Sequence, residues 1–243
     1  MSTRGPLHVE MVENPDALAR SVADWLLEQA RAKNGPFSLC LSGGSTPKTL
    51  YQALAGPPYR DAFPWERTHL FFGDERFVPP GDVLSNYRMV REALTEHIPI
   101  PAANVHPVPT EGEGPEAAAA DYAKTLMAYH GSGSLDPAHP LFDVTLLGLG
   151  EDGHTASLFP GTAVLEERTR WVADVIGAKA EARITLTYPA LESSRHTLFL
   201  VTGAGKHEIL KRLVAGDQTL PSARINPVGT LVVFCDRAAA GEA

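Results

Sequence analysis

The sequence predicts an α/β fold, a mainly parallel sheet flanked by helices, read here as one domain over residues 1–243. Three observations carry this expectation. Short apolar runs end in glycine, stretches of helical period alternate with them, and the chemically suggestive residues gather just after the apolar runs. In open sheets of this kind ligands bind beyond the carboxyl ends of the strands.

The elements follow in order. Residues 15–33 read as a helix, with Leu18, Val22, Trp25, Leu26 and Gln29 at helical spacing and Pro15 suited to a first turn. "PFSLCLSGG" is a short apolar run closing on paired glycines, a buried strand. "TPKTLYQAL" is a helix, and "THLFFGDERFVP" a strand that ends in charges. "SNYRMVREALTEH" is a helix with Ser85 or Asn86 as its N-cap, and "PEAAAADYAKTLMAYH" is a further helix. "LFDVTLLGLG", "ARITLTYPAL" and "RHTLFLVTGAG" are later strands, "KHEILKRLV" is a helix, and "GTLVVFCD" closes the sheet. The Gly/Ser/Pro-rich stretch 131–140 is the best linker candidate, but the strands on either side share one character. The core is expected over about residues 10–235, with short frayed termini that include "RAAAGEA".

Composition narrows the function classes. With 44% hydrophobic and 21% charged residues in 243, the chain can bury a substantial core without disulfides or metal. No apolar run approaches the ~20 residues of a membrane span, and "MSTRGPLHVE" has no apolar leader core. Cys40 and Cys235 lie in strand-like runs and read as small buried hydrophobes of a reduced, cytoplasmic protein. A formal charge of −8 argues against a nucleic-acid or anionic-membrane partner. A small anionic ligand remains possible where a few basic residues converge.

Four loops supply candidate residues. In "LSGGSTPKTL" glycines and hydroxyls enter a helix, which suits phosphate binding by Gly43, Gly44, Ser45 and Thr46. The alternative is a tight turn with Ser45 or Thr46 as the cap. The segment is not a P-loop, because Lys48-Thr49 follow proline rather than glycine. Arg76 in "GDER" is either a solvated strand end or a guanidinium placed for phosphate oxygens. Arg183 and Lys206 are each alone ordinary surface charges, yet with Arg76 they make the basic cluster an anion needs. "HEILK" is not a zinc motif, since Lys211 stands where the second histidine belongs, and C-x-x-C and G-x-S-x-G are absent.

The segment "GLGEDGHTASLFPG" matches G-x-G-x-x-G by count, and Asp174 lies about 20 residues beyond, as a ribose-binding acid would. That fingerprint must open a long helix, and Pro160-Gly161 arrive too soon to allow one. Dinucleotide binding is therefore not expected. Asp152 and His154 read either as an acid/base pair or as a histidine capping a turn.

The blocks "LSGGSTPKTLY", "GDERFVPPGDVLSNYRM", "LLGLGEDGHTASLFPG" and "FLVTGAGKHEIL", in this order and spacing, resemble the 6-phosphogluconolactonase family over about residues 10–235. The resemblance implies a modified Rossmann-like fold similar to that of the glucosamine-6-phosphate deaminases. It departs from the deaminases at Asp74-Glu75-Arg76, where they carry a D-E-Y-type block. It departs again at "TASLFPG", where their F-N-E-P-like run supplies a ring-opening glutamate. A non-catalytic sugar-phosphate sensor on the same fold is a third reading, but too few residues precede the first helix to hold a DNA-binding module. What the resemblance implies is hydrolysis of 6-phospho-D-glucono-1,5-lactone in the oxidative pentose phosphate pathway, without metal or other cofactor. Phosphate would rest on Gly43–Thr46 with Arg183 and Lys206, and Arg76 would be a further anion contact. His154 would act as general base, Asp152 would orient it, and backbone N–H groups of the glycine loop would face the oxyanion. The expected partner is the small sugar-phosphate lactone, with the chain a monomer or small homo-oligomer in the cytoplasm.

Overall fold

The apolar runs lie side by side and in parallel, because amphipathic helices return the chain to the same edge each time. The computed structural model describes residues 7–242. It begins with β1 (His8–Val12), α1 (Pro15–Ala32), β2 (Phe37–Leu41), α2 (Ser45–Ala55), α3 (Tyr59–Ala62), β3 (Thr68–Phe72), β4 (Asp74–Arg76) and α4 (Asn86–Val90). There follow α5 (Pro115–His130), β5 (Phe142–Leu147), β6 (Val172–Val175), β7 (Arg183–Leu186) and α6 (Tyr188–Glu192). The chain ends with β8 (Ser194–Val201), α7 (His207–Val214), β9 (Thr230–Asp236) and α8 (Arg237–Ala240). The first six residues, which hold part of the segment read as lacking a leader, and Ala243 lie outside the described residues.

Among the described residues six strands form a parallel sheet in the order β1-β9-β8-β5-β2-β3. Every residue of β2 and β5 is buried, the pattern of strands covered on both faces. α1 packs on α2 and on β9, and α5 packs on β6 and β7. Asn14 caps α1 by accepting from the Ala17 N–H at 2.9 Å, and Leu18, Val22 and Leu26 form its buried face. The buried apolar cluster continues across the loop 131–140, joining Leu126 to Leu141 and Phe142, so the stretch read as a linker candidate connects two parts of one core.

Several expectations are corrected. The run read as one strand over 68–79 breaks at Gly73, and Asp74–Arg76 belong to a second, antiparallel sheet of order β4-β7-β6. Gly73 is the pivot: its N–H donates to Leu41 O at 2.9 Å and its carbonyl accepts from Leu186 N at 2.8 Å. β7 is therefore not part of the main sheet, and "YPAL" after it turns into α6. β9 does not close the sheet, because the exposed β1 pairs outside it. Nor is the tail frayed through residue 240: Asp236 caps α8 by accepting from Ala239 N at 2.8 Å, and Ala239 is fully buried. Cys40 and Cys235 are buried free thiols, and burial pushes both thiol pKa values up.

Two histidines face each other beside the sheet. His69 Nδ1 and His106 Nε2 are 3.1 Å apart, and the His106 ring stacks on Phe71 with centroids 4.5 Å apart. Burial lowers the pKa of both, and for His106 the neighbouring His69 charge takes it further, to about 4. An unfolded histidine titrates near ~6.5, so below that pH the unfolded chain binds protons the folded chain refuses. Folding stability should fall as pH drops from about 6.5 toward about 4. Urea midpoints measured across that window should show the decline, and His106→Phe should flatten it.

Candidate functional site

The chain leaves the carboxyl ends of β2, β3, β5 and β8 in four loops that surround one depression of about 270 Å³. Loop by loop, the side chains are held from below. After β2, the Ser42 backbone is fixed by the buried Tyr51, whose hydroxyl accepts from Ser42 N at 3.0 Å and donates to Ser42 O at 2.8 Å. Gly43 is packed against the Asn86 side chain so closely that a Cβ would overlap it. Gly44, at φ +108°, is the N-cap of α2, and no side chain caps that end. Ser45 and Thr46 do not cap, as one sequence reading had it. Thr46 Oγ1 instead pairs with Thr202 Oγ1 at 2.7 Å, tying this loop to the one after β8. The first-turn N–H groups of an 11-residue helix thus border the depression at its positive dipole end.

Arg76 reaches the depression through the second sheet. Its strand is anchored by Glu75, which is 1% exposed and accepts from the N–H groups of Arg76, Asn86 and Tyr87 at 2.7 Å each and from Ser85 Oγ at 3.1 Å. Burial raises the Glu75 carboxyl above its usual range, more than the three N–H groups lower it, and Asp74 adds to the rise. Ser85 is the N-cap of α4, accepting from Arg88 N at 3.1 Å, which leaves Asn86 free to line the depression. Arg76 itself donates to Leu84 O and lines the depression.

Arg183 stands elsewhere. It is the cross-strand partner of Arg76 on β7, is 9% exposed, and is not among the residues that line the depression. Burial, then the Arg76 charge, lowers its guanidinium pKa, and its Nη1 is buried without a hydrogen-bond partner. Lys206 does line the depression, on a short turn whose Gly203 N–H is held by the Asp236 carboxylate at 3.0 Å.

The glycines of "GLGEDGH" serve a tight turn. Gly150 N donates to His154 O and Gly153 N donates to Gly150 O, both at 2.9 Å. Gly153 has φ +81° and packs on Leu220, while a Cβ at Gly150 would overlap the His154 ring and Asp152. No long helix follows, so the dinucleotide geometry is absent there. His154 lines the depression, and its Nδ1 is hydrogen-bonded to Asp152 Oδ1, which also accepts from the His154 backbone N–H at 3.1 Å. Nε2 is thereby the ring nitrogen left for other chemistry. Asp152 lies behind the imidazole rather than on the depression wall. Partial burial raises its carboxyl pKa, but hydrogen bonds from the His154 ring and N–H, with the charges of His154 and Lys179, outweigh burial and hold it below the usual range.

The sequence reading missed Asp74, Asn86 and Thr202 as wall residues. Asp74 Oδ2 accepts from Ser157 Oγ at 2.6 Å, and its backbone carbonyl accepts from Asn86 Nδ2 at 3.0 Å. Its position directly after a strand-ending glycine was the available signal. Ala156, at φ +48°, is a strained wall residue whose neighbour Ser157 is locked to Asp74 and Thr185. Among the described residues no group of three or more His, Cys, Asp or Glu side chains is placed to hold a metal ion. No helix among them is long and apolar enough to cross a membrane. The wall carries the two cations Arg76 and Lys206 against the single carboxylate Asp74, a local excess of positive charge in an acidic chain.

Residues 13–234 match the model of the glucosamine-6-phosphate isomerases/6-phosphogluconolactonase family. A 6-phosphogluconolactonase from Nostoc sp. is 39% identical over 241 residues, covering 96% of this chain and 97% of that protein. The crystal structure of a 6-phosphogluconolactonase from Thermotoga maritima superposes with a TM-score of 0.80 at 29% identity, covering 95% of this chain and 99% of that one. A monomeric glucosamine-6-phosphate deaminase shares the fold at 20% identity, with a TM-score of 0.81 over 97% of this chain and 99% of that one. The chain belongs to the glucosamine-6-phosphate isomerase/6-phosphogluconolactonase family.

Proposed function

We propose that this protein hydrolyses 6-phospho-D-glucono-1,5-lactone to 6-phospho-D-gluconate in the oxidative pentose phosphate pathway, the activity for which its relatives are named. One observation carries the reading. A single depression joins a cationic end, made by Arg76, Lys206 and the start of α2, to an imidazole whose Nδ1 is already engaged by a carboxylate. The phosphate rests on the Gly43–Thr46 backbone and pairs with Lys206 and Arg76. Arg183 stands beside Arg76 on the neighbouring strand and adds to the positive field there. Anchoring the phosphate directs the lactone carbonyl toward His154, and that orientation lowers the entropic part of the barrier.

His154 Nε2 takes a proton from water as the water oxygen bonds to the lactone carbon. The carbonyl electron pair moves onto oxygen, where backbone N–H groups of the glycine loop stabilise it. As the tetrahedral centre collapses, the ring C–O bond breaks and the ring oxygen receives the proton from Nε2. The C5 hydroxyl is thereby restored and the new carboxylic acid ionises. Asp152 fixes the imidazole tautomer and stabilises the imidazolium that forms between the two proton transfers. Asp74 accepts from substrate hydroxyls. The chain works as one catalytic unit, a monomer or small homo-oligomer of the reducing cytoplasm with no metal or other cofactor.

The test is a two-substrate assay. Consumption of the phosphorylated lactone above its spontaneous rate, with no ammonia released from glucosamine 6-phosphate, is the expected result. Ammonia release would overturn it in favour of a deaminase, and neither activity would leave a sugar-phosphate-binding sensor.

Four substitutions examine the roles. His154→Ala should lower kcat by roughly 10²–10⁴-fold. Lys206→Ala and Arg183→Ala should mainly raise KM, and more for the phosphorylated lactone than for gluconolactone itself, by steady-state kinetics on both. Gly150→Ala should lower kcat with little change in KM, because the added Cβ displaces the His154 ring without touching the anion side.

A further inference from the structure

Lys179 lies between β6 and β7, on a loop the mechanism above does not use. Its ammonium stands 5.0 Å from the centroid of the Phe159 ring. That ring is in turn 4.6 Å, centroid to centroid, from the His154 imidazole, at 47° to it. Lys179, Phe159 and Asp152 line a second depression of about 590 Å³ on the outer side of His154. One aromatic ring therefore touches both the proposed base and a lysine, and the carboxylate partner of that base opens to the same outer space. Among the described residues Lys179 has no carboxylate within ion-pair distance, so its charge is not neutralised by a contact elsewhere.

The charges around His154 come from three sides. Asp152 faces it from its own loop. Asp74 and Arg76, from β4, and Lys206, from the turn before α7, line the depression on the inner side. Lys179 and the β6 residue Asp174 line the outer depression. Of the two cations on the inner side, both are committed to the anionic substrate in the proposed reaction. Lys179 is the cation on the outer side, away from the anion-facing wall.

We infer that Lys179 is a positioning residue for the reaction: held on Phe159, its ammonium opposes the charged form of His154, so that the imidazole is kept free to accept the proton of water. A like charge near an imidazolium destabilises it. Because Lys179 is exposed, solvent weakens this effect, which makes it a tuning group rather than an indispensable one. The inference rests on the reading of His154 as general base.

The experiment compares wild type, Lys179→Gln and Lys179→Arg by two readouts. The first is the NMR titration of the His154 ring protons in the free protein, which does not depend on activity. The second is the pH profile of kcat/KM for the phosphorylated lactone. Lys179→Gln should raise the His154 titration midpoint by on the order of half a pH unit and move the acid limb of the profile by the same amount. Activity below the limb should then be about threefold lower, with the plateau kcat and KM unchanged. Lys179→Arg should restore both values, and high salt should shrink the difference between wild type and Lys179→Gln. An unmoved His154 midpoint overturns the inference, and so does a raised KM with an unshifted limb, which would mark a substrate contact. Equal losses in the Gln and Arg variants also overturn it, marking a structural role. A near-wild-type rate in His154→Ala would instead remove the histidine from catalysis, a failure the titration separates from that of Lys179.

Discussion

Glu75 binds the first residues of α4 to the short strand β4 through one buried carboxylate, and the geometry of the anion-facing wall follows from that bond set. Its two oxygens accept from three backbone N–H groups and the Ser85 hydroxyl, so the chain from 75 to 87 is closed into a loop at its base. A carboxylate out of water is costly unless its lone pairs are satisfied, and here backbone dipoles satisfy them rather than a cation. The closure also presses Asn86 against Gly43, so a single buried group sets the distance between the loop after β2 and the loop after β3. Arg76 gains its direction from the same anchor, with Leu84 O accepting from its guanidinium.

The depression lies at the seam between two sheets. The parallel sheet contributes backbone N–H groups and glycine turns at strand ends, which suit anion binding and close approach. The antiparallel sheet contributes side chains whose spacing is fixed by cross-strand pairing, Arg76 opposite Arg183 and Asp74 opposite Thr185. Gly73 joins the two, hydrogen-bonded on one side to β2 and on the other to β7. Thr185 extends the connection, since its hydroxyl accepts from Ser157 N while Ser157 Oγ donates to Asp74. The left-handed backbone at Ala156 is held between these bonds and Thr155, whose hydroxyl donates to Gly148 O at 2.8 Å.

The buried strands and long helices were legible because their residues repeat a period. Phe37–Leu41 and Phe142–Leu147 are mostly apolar and buried throughout, and Leu18, Val22 and Leu26 share one face. β1 was not legible: its polar and apolar residues alternate only over His8–Met11, too short a run to read, and they are mostly exposed, so pairing with β9 makes them a strand. β4 and β6 are three and four residues long, below the length at which a period can be read. In the site, the glycine loops and Arg76, His154 and Lys206 came from motif and position together. Asp152 was paired with His154 by spacing, but which side of the imidazole it occupies was not legible, because spacing along a turn does not say which side chain faces the open space. Arg183 was grouped with the other cations by sequence; cross-strand register sets it beside Arg76, but it does not line the depression. Asp74 and Asn86 were read as a strand end and a cap, since their convergence depends on contacts that span the Gly73 pivot.

Asp236 is the last residue of β9 and holds two things at once, the start of α8 and the Gly203 N–H that precedes Lys206. The carboxyl-terminal helical turn and the lysine-bearing loop therefore share one mechanical anchor, although α8 contributes nothing to the wall of the depression. His207, next to Lys206, adds a second link, with its Nδ1 3.3 Å from Ala239 O and Gly241 packed against its ring. For anyone handling the protein, the two ends of the chain are not equivalent. An affinity tag or fusion partner at the amino end adjoins the exposed edge strand β1, whereas one joined tightly behind residue 240 pulls on the loop that presents the lysine.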